Sequence, residues 1–312
     1  MYLVGIDLGG TKIAASLAGD DGTLLGTLQC PTPPGSDFSP VLEASVQLVD
    51  RLFQQFGAPR GQLAGVGLSC PGPLDLKQGL ILQVATAGWQ DVPVRQLFSQ
   101  ALGVPTYLEN DANAAAYAEA VAGAGRGCGS VVYFTVSTGV GGGIVLDGKV
   151  WDGAHGSAAE LGHITVDPQG PPCPCGSRGC VQLYSSGTSI ARRAREALAA
   201  GAHSCLERES QVDARAVERG VRAGDSLCQE IWRDAMVRLG TATGILNQVL
   251  DPDLFIFGGG VSNAWDLMEE PIRQGACAYS YAKNAHLIRL AKASLGPLVG
   301  TTGAILLARD LL

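Results

Sequence analysis

The chain has 312 residues, 46% of them apolar and 43 of them glycine, and a formal net charge of −7. That length and apolar content suit two domains, each with its own core, and the glycines follow no collagen-like period. The acidic balance, without a long basic run, argues against nucleic acid as a partner, and no apolar stretch approaches the ~18 residues of a membrane span.

The first residues, Met1-Tyr-Leu-Val-Gly-Ile-Asp7, enter a strand with no basic lead of the signal-peptide kind. Nine cysteines are an odd number in a chain too large to need disulfides, which points to a reducing cytoplasm. Leu3 to Ile6 reads as an apolar strand, followed by the polar turn Asp7-Leu-Gly9-Gly10-Thr11-Lys12. Ile13 to Leu17 resumes as a strand, and Asp21-Gly22 is the next turn. Pro31 to Gly35 is a loop. Ser39-Pro40 then reads as a cap and first-turn proline for a helix whose apolar positions run from Val41 to Phe56. Gly57 and Pro59 end it. Leu63 to Leu68 is a strand closed by Cys70-Pro-Gly72-Pro73, and residues 73 to 93 are turn-rich.

Val104 to Leu108 is a short strand that delivers Glu109-Asn110-Asp111 to an alanine-rich helix, roughly Asp111 to Ala122. Gly123, Gly125, Gly127 and Gly129 follow. This composition shift is the expected boundary between a first domain, 1–122, and a larger second domain, 123–312. The second domain opens on Val131 to Gly143. Its front is a β-branched and aromatic run, its back a glycine cluster, with Thr135, Ser137 and Thr138 at the junction. Ile144-Val-Leu returns as a strand, and Asp147-Gly148 is a hairpin turn signal. Helices are expected over Thr188–Ala200, Val212–Arg222 and Leu227–Leu250. The strand Leu254-Phe-Ile-Phe257 runs into Gly258-Gly259-Gly260. Leu287 to Leu290 reads as a strand, and Val299 to Leu311 as a closing helix expected to pack back on the first domain.

The plan strand, glycine-rich polar turn, strand, Asp-Gly turn therefore occurs twice. Such turns can aim backbone N–H groups at phosphate; two ordinary hairpins with glycines at bulges is the other reading. His163, Cys173, Cys175 and Cys180 are spaced Gly-His-x9-Cys-x-Cys-x4-Cys. Three thiolates and an imidazole make a closed tetrahedral set for a structural Zn²⁺, against the alternative of three buried thiols. Glu160 lies three residues before His163, so a metal on the histidine would aim it; a solvated surface glutamate is the alternative. Asp111 is the candidate general base, at the head of a helix whose dipole favours its anion, and a plain helix cap is the bland role for the same residue. Asn110 beside it can donate and accept, which suits a polyhydroxylated substrate. No Gly-x4-Gly-Lys-Ser/Thr is present, and His155, His203 and His286 stand apart from any activated serine.

Together these stretches resemble the ROK family of bacterial sugar kinases, within the actin-like ATPase and hexokinase superfamily. The resemblance covers essentially the whole chain. It implies an α/β fold of two ribonuclease H-like domains flanking a cleft, with a zinc-binding loop in the second. It implies transfer of the γ-phosphate of ATP to a hexose, with glucose first; N-acetylglucosamine, N-acetylmannosamine, mannose and fructose are the alternatives, and a catalytically weak sugar-binding regulator is an alternative of another class. In that reading Asp7, Gly9, Gly10, Thr11 and Lys12 form the first phosphate motif, with Asp7 holding Mg²⁺ through water. Thr138, Gly139, Gly141 and Gly142 belong to the second, and Gly259 and Gly260 to the adenosine side. Gly72, Asn110, Asp111, Glu160, His163 and Gln182 fall on the sugar, with Asp111 as the catalytic base. His163, Cys173, Cys175 and Cys180 hold zinc. The family also contains repressors that add a DNA-binding helix-turn-helix before the first strand, for which no room is expected here; a homodimer or homotetramer is expected instead. Two residues depart from the family pattern: Gln182 stands where a glutamate is usual, and Ala85 where an asparagine often binds sugar. Both changes lie on the sugar side.

Overall fold

The computed structural model describes residues 1–84 and 87–312, so Ala85 lies outside the described residues. The chain forms two compact units. The first gathers Met1–Gly123, Lys149–Ala158 and Leu295–Leu312; the second gathers Ala124–Gly148 and Ala159–Ser294. After residue 123 the chain thus returns to the first unit twice, where the sequence suggests a single cut. In chain order the elements are β1 (Tyr2–Leu8), β2 (Lys12–Gly19), β3 (Leu24–Pro31), α1 (Ser39–Gln55), β4 (Leu63–Cys70), β5 (Leu74–Asp75), β6 (Leu80–Val84), β7 (Trp89–Val92), α2 (Val94–Leu102), β8 (Thr106–Asn110) and α3 (Asp111–Val121). Then come β9 (Ser130–Val136), β10 (Val140–Leu146), β11 (Lys149–Val150), α4 (Gln182–Ser185), α5 (Gly187–Ala199), α6 (Ala214–Arg222), α7 (Ser226–Leu250), β12 (Leu254–Gly258), α8 (Trp265–Ala278), β13 (Leu290–Lys292) and α9 (Val299–Leu311).

The first unit is built on a sheet in the order β3-β2-β1-β4-β8. β1 pairs antiparallel with β2 and parallel with β4, and β4 pairs parallel with β8. The central parallel strands β1 and β4 are buried along almost their whole length, as apolar runs between two covered faces should be. α1 buries Val41, Leu48, Val49, Leu52 and Phe53 at helical spacing. Its cap is Phe38, with no side-chain bond, and Ser39 is already helical, so the expected serine cap is not formed. The turn-rich stretch 73–93 holds a small antiparallel sheet, β5-β6-β7, among the described residues.

Within the second unit the strands run β10-β9-β12-β13. The pairing is antiparallel for β10 with β9, then parallel for β9 with β12 and β12 with β13. That repeats the run β2-β1-β4-β8, so the duplication read in the sequence is a duplication of four strands. Asp147 and Gly148 close the β10 hairpin with φ of 50° and 71°, the left-handed pair that a two-residue turn requires. β13 begins at Leu290, three residues after the expected start, because Ala285–Leu287 forms a short 3₁₀ turn. α8 carries Pro271 in its interior, where proline ordinarily breaks a helix. Tertiary contact holds it: a Cβ on Gly240 of α7 would lie 2.2 Å from the Ile272 carbonyl oxygen, and one on Gly275 would lie 2.2 Å from that of Val237.

The same close approach seats α9 on the first sheet. A Cβ on Gly5 would lie 2.1 Å from the Thr301 carbonyl oxygen, and one on Gly67 would lie 1.9 Å from that of Ala304. Gly67→Ala should therefore lower stability by about 2–3 kcal/mol through overpacking, read as a fall in the urea midpoint. Gly61→Ala, where nothing lies within 4 Å, should change it by less than about 0.5 kcal/mol. Equal midpoints for the two variants would contradict this seating.

Candidate active site

In the first unit three parallel strands finish side by side. Asp7 of β1 is in register with Ser69 of β4, and Cys70 with Asn110 of β8. Polar groups belong at such carboxyl ends in α/β sheets. Ser69 Oγ donates to Asp7 Oδ1 at 2.8 Å. Gly300 of α9 lies against the same carboxylate, since a Cβ there would sit 2.8 Å from Asp7 Cγ. Burial raises the Asp7 carboxyl, opposed by the Ser69 bond and the Lys12 charge. The turn after β1 is closed by Gly9 N–H donating to the Lys12 carbonyl at 3.0 Å. Thr32 braces it from β3's end, donating through Oγ1 to the Gly9 carbonyl at 2.6 Å and through N–H to that of Thr11 at 3.1 Å. Gly10, Thr11 and Lys12 are exposed at its tip.

Asn110, not Asp111, caps α3. Its Oδ1 accepts from the N–H groups of Ala112 at 2.9 Å and Asn113 at 3.3 Å. Its Nδ2 faces Gly72, where a Cβ would lie 3.2 Å away. Asp111 is the first helical residue and is exposed, and its Oδ1 accepts from the Ala112 N–H at 2.8 Å. The buried Cys70 thiol is pushed up by burial and then by the charges of Asp7 and Asp111, which places both acids about the same strand ends.

Behind this helix head lies a cluster that sequence reasoning missed. Glu109 Oε1 accepts from the Asn110 N–H at 2.8 Å and from Asn113 Nδ2 at 3.1 Å. Asn113 Nδ2 also donates to Asp152 Oδ1 at 3.4 Å, and Asn113 Oδ1 is buried without a partner. Nothing in the spacing of residues 109, 113 and 152 signals this contact.

In the second unit the corresponding turn is Ser137-Thr138-Gly139. Ser137 N–H donates to the Gly139 carbonyl at 2.9 Å, and Gly187 N–H donates to that of Ser137 at 2.7 Å. Thr138 and Gly139 are exposed, and Gly141 lies within β10 opposite Thr135. Gly142 is buried, and a Cβ on it would strike the Leu161 side chain at 2.3 Å. This position serves packing of the Leu161–His163 turn on β10. Gly162 does the same from the other side, where a Cβ would lie 1.9 Å from the Val140 carbonyl oxygen. Glu160 precedes that turn, exposed, and its carbonyl accepts from the His163 N–H at 3.0 Å. Gly259 has φ +83°, and a Cβ there would sit 2.4 Å from the Val136 carbonyl oxygen. Next to it opens a cavity of about 370 Å³, lined by Thr138, Gly260, Arg195, Asp213, Arg215 and Glu218 among others. The charged lining residues carry no local motif and were not legible in the sequence.

His163 Nδ1 and Cys173 Sγ lie 3.6 Å apart, Cys175 Sγ and Cys180 Sγ 3.7 Å apart, and all four ligand atoms fall within 4.8 Å of one another. The loop returns through Gly176 (φ +93°) and Gly179 (φ +58°); a Cβ on Gly179 would lie 1.7 Å from the Asp167 carbonyl oxygen. Burial raises the Cys173 thiol, but bonds from the Cys175 N–H and thiol, Gln182 and Cys180 outweigh it and hold it down at about 6. A ready thiolate in an S₃N set fits a zinc-class cation. Gln182 is turned to this loop: its Nε2 donates to Cys173 Sγ at 3.6 Å, and its Oε1 lies 3.7 Å from the Cβ position of Gly139.

Burial first, and the Asp152 carboxylate second, push Glu109 up to about 7 from an ordinary value of 4.5, against its bonds from Asn110 and Asn113. The folded value is the higher one, so the stability this group gives is full below about pH 4.5 and is lost as pH rises through about 7. Glu109→Gln keeps the accepting oxygen without the charge. Between about pH 5 and about pH 8 the wild type should lose up to about 3 kcal/mol relative to the variant, measured by urea unfolding at both pH values. Parallel pH dependence would contradict this placement.

The ROK family profile matches residues 3–311. A glucokinase of Halalkalibacterium halodurans is 32% identical over 307 residues, covering 97% of this chain and 93% of that one. The crystal structure of a ROK hexokinase from Thermus thermophilus is 36% identical, superposes with a TM-score of 0.85, and is covered over 99% of its length by 100% of this chain. The structure of a ROK family glucokinase from Streptomyces griseus, in complex with glucose and AMPPNP, is 33% identical with a TM-score of 0.82, covering 99% of this chain and 100% of that one. With strand ends, paired turns and cysteine loop laid out as described, and with this match over nearly every residue, the chain belongs to the ROK family.

Proposed function

We propose that the chain transfers the γ-phosphate of ATP to a hexose hydroxyl, glucose first, giving glucose 6-phosphate. The observation that carries this reading is Asp111, exposed at the head of α3 among the carboxyl ends of β1, β4 and β8, in a chain whose relatives include glucokinases. Asn110 Nδ2 and the glycine at position 72 beside it offer the sugar a donor with room to approach. Glu160 and His163 bind further hydroxyls. Asp111 accepts the proton of the 6-hydroxyl as that oxygen bonds to the γ-phosphorus and the bond to the ADP oxygen breaks. The turns at Gly9–Lys12 and Ser137–Gly139 direct N–H groups at the phosphate oxygens. The cavity beside Gly260 takes the nucleoside. Asp7 suits an Mg²⁺ held through water, an ion that neutralises phosphate charge when bound. The set His163, Cys173, Cys175 and Cys180 would hold a structural Zn²⁺ and fix the loop behind Glu160.

Gln182 weighs on the sugar. Its Nε2 is engaged by Cys173 Sγ, so it contributes less to hydroxyl binding than a free carboxylate would. N-acetylhexosamine, mannose and fructose are therefore the substrates to set against glucose. The same reading has the chain working as a homo-oligomer in the cytoplasm. In support of the location, all nine cysteines are free; no described helix is long and apolar enough to cross a membrane.

ATP turnover with glucose, mannose, N-acetylglucosamine, N-acetylmannosamine and fructose should give the highest kcat/KM on glucose. Asp111→Asn should lower kcat on glucose roughly 10²–10⁴-fold with glucose affinity retained. Equal rates in wild type and variant would remove Asp111 from the base role.

A further inference from the structure

We propose that Cys205, Asp225 and Cys228 form a second metal site, taking one thiophilic divalent cation of the zinc class. Their ligand atoms all lie within 4.8 Å of one another, as do those of the His163 cluster. The three come from two elements that the carboxylate itself ties together. Cys205 opens a 3₁₀ turn, Cys205–Arg208, and Asp225 caps α7, with Cys228 in that helix's first turn. Asp225 Oδ2 accepts from the Cys205 N–H at 2.8 Å and from Ser204 Oγ at 3.0 Å, and Oδ1 accepts from the Cys228 N–H at 2.9 Å. The donors are therefore fixed before any ion arrives.

Gly220 of α6 faces both sulfur atoms. A Cβ there would lie 2.3 Å from Cys228 Sγ and 3.2 Å from Cys205 Sγ, so only glycine leaves the thiols in place. Cys228 is buried and Cys205 is exposed, which gives the ion an entry from solvent and leaves water its fourth position. Two sulfurs and one carboxylate favour zinc-class ions over Mg²⁺ or Ca²⁺, which prefer all-oxygen sets. On binding, each thiol releases one proton to solvent. Two thiolates, a carboxylate and a divalent ion carry one net negative charge, which suits the N-terminus of α7.

The test is Cd²⁺ titration of the full chain, read by metal analysis after desalting and by thiolate-to-metal absorbance. The wild type should hold two ions per chain. Cys205→Ser, at an exposed position, should hold one. Asp225→Asn keeps a good helix cap and should weaken the second ion at least tenfold, with its circular dichroism unchanged. A single ion on the wild type, or two of undiminished affinity on Cys205→Ser, would overturn the proposal.

Discussion

Two stretches of main chain can approach within van der Waals contact only where no Cβ stands between them, and the polar ends of both sheets are arranged by that constraint. In the first unit Gly5 and Gly67 admit α9 onto β1 and β4, and Gly303 admits it onto α3, where a Cβ would lie 2.0 Å from the Ala114 carbonyl oxygen. The helix so seated presents Gly300 to Asp7. In the second unit Gly142 and Gly162 press the turn bearing His163 onto β10, and Gly259 lets the chain leave β12 against Val136. Side chains at any of these positions would push the polar groups away from the strand ends. The unusual glycine content is thus used for packing as much as for turns.

The second organising fact is repetition. Four strands, one antiparallel and two parallel pairings, recur in each unit. In each, a short turn between the first two strands is held by its own backbone bond and by one neighbouring segment, Thr32 in one case and Gly187 in the other. The repeats differ in what stands beside the turn. The first carries acids, Asp7 and Asp111, about the strand ends; the second carries the cysteine loop and the cavity beside Gly260. A sugar kinase needs both an acceptor for a proton and donors for phosphate; in the function proposed above the first copy supplies the acceptor, and both copies supply turns for the phosphate.

Most strands of the two larger sheets, the Asp147-Gly148 turn and the cysteine set were legible because each depends on neighbours in sequence: β-branched runs, a left-handed pair, thiols on one loop; the small sheet within 73–93 was not. The helix head at Asn110-Asp111 was legible as a place but not in its division of labour. Two adjacent residues with short polar side chains can each cap a helix, and only the geometry gives the cap to Asn110. No helix was read over α8, and the local cost of its Pro271 is outweighed by packing on α7 that no window of sequence contains. Gly142 reads as part of a phosphate cradle, yet the residue that makes glycine necessary there is Leu161. Asp152 meets Asn113 from 39 residues away, and Gln182 turns to Cys173 rather than standing free. These are contacts of folding, and they have no periodicity to betray them.

The central claim is that the carboxylate at the head of α3 receives the sugar's proton. A crystal structure with glucose and a non-hydrolysable ATP analogue tests it most directly. An Asp111 oxygen is expected within hydrogen-bond distance of the glucose 6-hydroxyl, with Asn110 Nδ2 on a neighbouring hydroxyl. Glucose bound with its 6-hydroxyl on another group and Asp111 facing water would contradict it.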